Sequence, residues 1–308
     1  METPTGEKPR SRLRSVASIA TTIILLAAVA YIVWQLVGQW HSLSRHRWTL
    51  RPAPTLLSLP LAAAWFLCRA WLWRLILARF GYPLAYRRAF RTFMLAELSR
   101  YLPGTVWHVL GRGYYASRQG VPAAVTLIAM ILELALVALT AIAFLPLRAI
   151  GGGRLFQDLA IWAIAAVLVL LVFAHPRVIV PVVNAGLRRL KKQTIPARLR
   201  YRDIAEMLGL CALMWVCMCA AFVLLVRSIA PTDWGKAVAI AASFPAAWFA
   251  GLVSIASPGG LGVREGALAA LLSGLLPAGM GAVIALASRL WLTVVELACA
   301  AVAWRLRE

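Results

Sequence analysis

Several ionisable side chains lie inside or beside long apolar segments, among them Arg112, Glu133, Arg264, Glu265 and Arg289. A charge at the centre of a bilayer costs about 2.5–3.5 kcal/mol on insertion scales, so such residues are typically paired, face a wet cavity or serve a function. Arginine suits phosphate, because its planar fork donates two parallel hydrogen bonds and stays charged. The pattern therefore predicts a polar cavity that holds a phosphate-bearing headgroup within an apolar layer.

The predicted substrate-binding residues share a position in a stretch interrupted by proline and glycine, or in the apolar run that follows it. They are Arg100, Arg112, Arg264, Glu133, Glu265, Arg289, Ser257, Gly104, Gly259 and Gly260. The first three would hold the phosphate, Ser257 would add a neutral donor, and half-helices that begin after Gly104 and Gly260 would point unpaired N–H groups at it. The glutamates would balance the charge or take up a proton.

The same charges also allow a purely structural interpretation, in which the acids and bases pair only to hold chain segments together. Under the internal repeat described below, position 134 aligns with Arg289. Glu133 and Arg289 are therefore predicted partners.

Composition places the chain in a membrane. Of its 308 residues, 62% are hydrophobic and 14% are charged, and the mean hydropathy is +0.80. These values lie far outside the range of soluble domains. The net charge of +21 does not indicate nucleic acid, because 18 of the 32 Lys and Arg residues crowd into four segments just outside apolar runs. Such a bias is typical of cytoplasmic loops beside anionic lipid.

Six apolar runs are long enough to cross about 30 Å of hydrocarbon. They cover residues 16–38, 54–79, 122–147, 155–175, 204–228 and 278–304. Two further stretches, 86–118 and 235–275, are interrupted by YLPGTVWHVLGRG and SPGGLGVREG. Proline and glycine break helices, so each stretch is predicted to be a re-entrant hairpin that enters and leaves on one side. The expected fold is an all-α polytopic membrane protein with six transmembrane helices and two re-entrant broken-helix hairpins.

The pattern of proline and glycine residues repeats along the chain. Four residues recur 155 positions later: Pro103, Gly104, Gly111 and Pro122 return as Pro258, Gly259, Gly266 and Pro277. Each half then contributes three crossings and one hairpin, and an odd number of crossings inverts the second copy. We expect a basic cytoplasmic N-terminus (1–15), a first membrane repeat (16–150) and a second (151–308) that carries a basic cytoplasmic loop at 176–202.

The motifs LAELSRYLPGTVWHVLGR and SPGGLGVREGALAALL, with the acidic span at Glu133 between them, resemble the flippase-like membrane domain of lysylphosphatidylglycerol synthases and its stand-alone relatives. The resemblance covers nearly the whole chain. It implies movement of polar lipids between leaflets, or lipid handling beside a partner enzyme. The chain lacks the soluble aminoacyl-transferase domain of the bifunctional synthases, so lipid aminoacylation is not implied.

The predicted function is translocation of an anionic-headgroup phospholipid or a polyprenyl-phosphate-linked lipid across a prokaryotic cytoplasmic membrane, with both termini cytoplasmic. The alternative is a non-transporting lipid-binding subunit that presents lipid to a partner glycosyltransferase or synthase. The sequence holds no phosphate-cradling GxxxxGK[ST], no GxSxG and no HExxH, so we expect no enzyme activity, cofactor or metal. Membrane lipids are the expected partners, nucleic acid is not, and association with a lipid-modifying enzyme or self-association is left open.

Overall fold

The computed structural model describes residues 51–99, 107–149, 200–230, 232–254 and 262–306, together with positions 181, 184, 185 and 188. The described part is helical. Its eight α-helices are α1 (Pro52–Arg79), α2 (Tyr86–Leu98), α3 (Trp107–Ser117), α4 (Ala123–Phe144), α5 (Tyr201–Ile229), α6 (Ala237–Val253), α7 (Val263–Ser273) and α8 (Met280–Arg305). Short 3-10 turns at Leu145–Ala149 and Trp234–Lys236 follow α4 and precede α6.

Five helical segments in these ranges are long and apolar enough to cross a membrane. They are Pro52–Arg79, Ala123–Arg148, Tyr201–Ile229, Trp234–Val253 and Met280–Arg305. Four of them match predicted spans, so the prediction of an all-helical, multi-pass membrane protein is confirmed. The predicted spans at 16–38 and 155–175, the N-terminal segment 1–15 and nearly all of the basic loop 176–202 lie outside the described residues.

The fifth segment differs from the prediction. Trp234–Val253 has 20 residues and qualifies as a span by length and composition, whereas the sequence interpretation made it half of a re-entrant hairpin. The reason is that the apolar run before the SPGG motif is longer than its counterpart before YLPG. A re-entrant second stretch therefore stays a prediction.

The first broken stretch forms two short helices that pack against each other. Helices α2 and α3 have 13 and 11 residues, about 20 and 17 Å of rise, less than the hydrocarbon thickness. Gln119 beyond the end of α3 donates to Thr92 within α2 (2.7 Å). Near the start of α3, the bare Cα of Gly111 lies against Ala96 and Ser99 at the end of α2. The two helices are therefore antiparallel and form a helical hairpin.

Helices α1 and α5 also run antiparallel, and α1 packs more extensively against α5 than against any other described helix. At one end, Arg79 Nη2 lies 2.9 Å from Asp203 Oδ1. At the other, the N–H of Arg51 donates to the carbonyl of Ser228 (3.0 Å). The 155-residue offset carries the first of these helices onto the second, so two repeat-equivalent helices run in opposite directions.

One helix boundary recurs at the same offset. Helix α2 ends at Leu98 and α6 ends at Val253, which are 155 residues apart. The repeat seen in proline and glycine positions therefore extends to this helix end.

The described contacts divide the chain into two compact units. One includes Ala247–Leu286, and the other includes Trp48–Ala246 and Ala287–Glu308. Within the first, α7 begins at Gly262, whose φ of +81° favours glycine and whose N–H donates to Glu265 (2.8 Å). This hydrogen bond satisfies one of the unpaired donors of the helix start.

Close packing between α7 and the start of α8 gives a first testable prediction. A Cβ at Gly281 would lie 2.8 Å from the carbonyl oxygen of Ala269, a backbone atom that cannot move aside cheaply. We expect Gly281→Ala to lower the free energy of unfolding by about 1–3 kcal/mol, since overpacking forces the backbone to shift. Equilibrium unfolding in detergent measures this change.

The matched control is Gly209→Ala on α5, where an added Cβ would meet nothing within 4 Å. Because alanine has the higher helix propensity, this variant should be neutral or slightly stabilised. Equal losses in both variants would contradict a specific contact at Gly281.

Candidate functional site

Four ionised side chains converge in the core of the larger unit. Arg112 donates through Nη1 to Glu133 Oε2 (2.6 Å) and through Nη2 to Glu97 Oε1 (2.8 Å). Arg69 donates to the other oxygen of Glu133, through Nη2 at 2.6 Å and Nε at 2.9 Å, and its Nη1 lies 3.9 Å from Glu97 Oε1. These four residues are called the quartet below.

The quartet joins four helices. Arg69 belongs to α1, Glu97 to the last turn of α2, Arg112 to α3 and Glu133 to α4. Arg69 and Glu133 lie in the middle parts of two candidate spans. The end of α2 therefore lies level with the interior of both spans and not with their ends.

The quartet is enclosed. Arg112 is 2% exposed and Glu133 1%, while the side chain of Arg69 retains 15%. Aromatic rings cover the guanidinium groups: Phe93 lies 4.2 Å from that of Arg112 and 5.2 Å from that of Arg69. The electron-rich faces of such rings stabilise a buried cation. Three of the four side chains are thus almost fully buried, and Arg69 alone among them keeps partial exposure.

A second aromatic layer fixes the position of Arg69. Its guanidinium lies 6.0 Å from the ring of Trp65, and Trp65 meets Trp215 edge-on at 4.6 Å. Trp215 in turn donates its indole N–H to the carbonyl of Val137 on α4 (3.2 Å). Helices α1, α4 and α5 are therefore locked together around the quartet.

Two positive and two negative charges make the quartet electrically neutral. Two buried donors beside it still have no acceptor among the described residues: Nε of Arg112 and Nε1 of Trp73, whose ring lies 5.6 Å from the Arg112 guanidinium. An unpaired donor in a low-dielectric interior costs free energy. The site therefore retains donors for an oxygen-rich ligand.

Of the predicted binding residues, the structure brings Arg112 and Glu133 together. The predicted pairing of Glu133 with Arg289 is wrong, because both carboxylate oxygens of Glu133 accept from Arg69 and Arg112. Adjacent equivalent positions in a repeat do not require spatial contact. Arg289 lies half-buried on α8.

Arg264 and Glu265 lie in the other compact unit. Glu265 is 7% exposed and caps α7 through the N–H of Gly262, which gives it a structural role. Arg264 is half-buried. A single cavity that joins these residues to Arg112 stays a prediction. The other candidates lie outside the described residues: Arg100, Gly104, Ser257, Gly259 and Gly260.

Sequence reasoning did not place Arg69 and Glu97 in the binding set, although both belong to the quartet. A usable signal was charge balance, since two embedded arginines in the first half require two embedded acids. Among the residues that the structure describes, no group of three or more His, Cys, Asp or Glu side chains is arranged to hold a metal ion.

Comparison with known proteins gives one family. The family model described as the lysylphosphatidylglycerol synthase TM region matches residues 12–299. No curated protein matches the chain significantly. The matched range includes the whole quartet and both broken stretches. Because the match extends over most of its length, the chain belongs to the family of lysylphosphatidylglycerol synthase TM regions.

Proposed function

We propose that this protein translocates a lipid with an anionic headgroup between the leaflets of a prokaryotic cytoplasmic membrane. The cargo is an anionic phospholipid or a polyprenyl-phosphate-linked lipid, and the protein acts without catalysis. The observation that carries the proposal is the quartet, a neutral Arg–Glu network buried level with the middle of two candidate spans. Membership of a family named for a phospholipid synthase supports a lipid as the cargo.

The proposed topology is an inverted repeat with both termini in the cytoplasm. Antiparallel packing of α1 and α5 supports the inversion, because equivalent helices of an inverted repeat cross in opposite directions. The bias of Lys and Arg toward one side supports the orientation. In this arrangement the Arg79 end of α1 faces the cytoplasm.

The α2–α3 hairpin is proposed to be re-entrant. Each of its helices is too short to cross, and Glu97 at the end of α2 touches Arg112 and approaches Arg69 of the α1 span. A hairpin whose helices stop at this depth is tolerated in a membrane where it is buried in protein or lines a polar cavity.

Lipid binding would proceed by exchange of partners. In the closed state the arginine forks hold the carboxylates of Glu97 and Glu133. Two oxygens of a tetrahedral headgroup phosphate can accept the same pair of N–H bonds, so a phosphate can replace a carboxylate on Arg112. The unpaired Nε of Arg112 and Nε1 of Trp73 would then donate to the incoming oxygens. Movement of the hairpin would open the site to each leaflet in turn.

The test is reconstitution in vesicles that contain a headgroup-labelled phosphatidylglycerol, with a membrane-impermeant quencher outside. The protein should accelerate loss of the protected signal, and Arg112→Gln should slow that loss about ten- to a hundredfold, since the charged hydrogen bonds contribute 1.5–3 kcal/mol each. Arg118→Gln is the matched control, because it removes the same charge from an exposed position just beyond the end of α3.

Two results would contradict the proposal: no acceleration by the folded protein, or equal rates in the Arg112 and Arg118 variants. Crossing that appears only when a co-purifying glycosyltransferase or synthase is added would favour the alternative function, a subunit that presents lipid to that enzyme.

A further inference from the structure

A second charged site lies at the Arg79 end of the α1–α5 pair. Here Arg79, Arg200, Arg202, Asp203 and Glu206 line a concave cavity of about 550 Å³. Arg79 is ten residues beyond Arg69 along α1, which corresponds to about 15 Å of helix. The cavity is therefore separate from the quartet. It lies where α1 ends and α5 begins.

The acidic side chains of this cavity already have partners. Asp203 is 5% exposed; its Oδ1 contacts Arg79 Nη2 (2.9 Å) and its Oδ2 accepts from the N–H of Arg200 (2.9 Å). Glu206 Oε2 lies 3.7 Å from Arg79 Nη2. Arg79 thus contacts Asp203 and lies near Glu206, and Asp203 caps the first turn of α5.

The two remaining arginines are available for a ligand. Within the described ranges, no ion pair engages the guanidinium groups of Arg200 and Arg202, and both residues are exposed. Three arginines and two acids leave the cavity with a net charge of +1. One phosphodiester carries a single negative charge and offers acceptor oxygens that match the arginine fork.

We propose that this cavity binds the phosphate of an anionic lipid headgroup. A lipid is favoured over a soluble phosphate compound because the cavity lies at the ends of two candidate spans, Pro52–Arg79 and Tyr201–Ile229. Tyr201, beside both arginines, is 63% exposed, as is typical of aromatic residues at a membrane surface. Basic pockets between helices at this level bind lipid headgroups. The site holds lipid whether or not the quartet translocates it.

The experiment compares two double variants by native mass spectrometry of protein released from vesicles of phosphatidylglycerol and phosphatidylcholine. Arg200→Gln with Arg202→Gln removes the two available forks. Arg87→Gln with Arg88→Gln is the matched control, because these exposed arginines carry the same charge on the chain segment after Arg79, outside the cavity. We expect the first variant to lose about tenfold or more of its bound phosphatidylglycerol and the control to lose less than about twofold.

Equal losses in the two variants would overturn the proposal, since bulk surface charge would then explain the binding. Retention of phosphatidylcholine at the level of phosphatidylglycerol would overturn it as well. A further arm adds inorganic phosphate to the wild-type protein: displacement of the lipid at millimolar phosphate would show that the site binds free phosphate, and persistence of the lipid supports a headgroup site. Helical content measured by circular dichroism verifies that both variants are folded. Because binding is read without transport, this result is independent of the vesicle-crossing assay.

Discussion

Replacement of Glu133 by glutamine is expected to lower the free energy of unfolding by about 3–5 kcal/mol. The variant leaves Arg69 and Arg112 buried with one remaining carboxylate, that of Glu97, so the quartet acquires a net positive charge. An uncompensated charge in a low-dielectric interior is far more costly than the loss of one hydrogen bond. Equilibrium unfolding of purified protein in mixed micelles measures the loss.

A second substitution separates charge imbalance from loss of packing. The double variant Glu133→Gln with Arg69→Gln restores neutrality and keeps the contact of Arg112 with Glu97. It should recover more than half of the lost free energy. Thr140→Val is the control on the same helix, because its hydroxyl is uncharged and donates to carbonyls one turn back, and it should cost about 1 kcal/mol or less. A double variant as unstable as Glu133→Gln alone would show that shape, and not charge balance, holds the quartet.

The helical architecture follows from sequence because hydropathy and helix breakers are local properties. The apolar runs at 54–79 and 204–228 predict α1 and α5 to within a few residues, and YLPG predicts the break between α2 and α3. The α6 segment qualifies as a span by length and composition, and its predicted re-entrant course stays a prediction. Whether an apolar run of intermediate length crosses or turns back depends on its neighbours, which periodicity does not encode.

The pairing inside the site could not be predicted from the repeat, because the repeat does not extend to charge. The positions 155 residues after Arg69, Glu97, Arg112 and Glu133 are Leu224, Leu252, Ala267 and Ser288. None is ionisable. Proline and glycine residues are retained at equivalent positions in both halves, because they determine where helices end. The charged residues differ between the two halves. The apolar runs therefore located the helices, while the repeat suggested Arg289 as the partner of Glu133, whose carboxylate oxygens accept from Arg69 and Arg112.

The restriction of the quartet to the first repeat also bears on the mechanism of the proposed transport. A site built symmetrically by both repeats would hold headgroups equally in both orientations of the hairpins. Because the quartet belongs to the first repeat alone, we expect that under the proposed function the α2–α3 hairpin, which carries Glu97 and Arg112, moves to release a headgroup. The second repeat would then act mainly as a frame, with α5 packed along α1.

The second large effect is expected from a variant that impairs lipid transport while leaving the free energy of unfolding nearly unchanged. The charge-neutral variant Glu97→Gln with Arg112→Gln removes one acid and one base and leaves the 2.6 Å contact of Arg69 with Glu133. Replacement of a buried ion pair by neutral groups of similar volume is often nearly neutral in stability, so the variant should unfold within about 2 kcal/mol of the wild-type protein. Its rate of lipid crossing should nevertheless fall about a hundredfold, because the fork that exchanges carboxylate for phosphate is gone.

The control for this result is a neutral pair elsewhere in the same unit. Trp291 donates to Ser58 Oγ (3.0 Å) between α8 and α1, and both residues are buried. Ser58→Ala with Trp291→Phe should cost a comparable amount of stability and leave the crossing rate within about twofold of wild type, since no charge is involved. If the Glu97 and Arg112 variant transports lipid as fast as this control, the quartet only holds the hairpin in place. If it folds but does not transport, the buried arginine fork is the part of the protein that carries the headgroup, because stability and neutrality are the same in both variants.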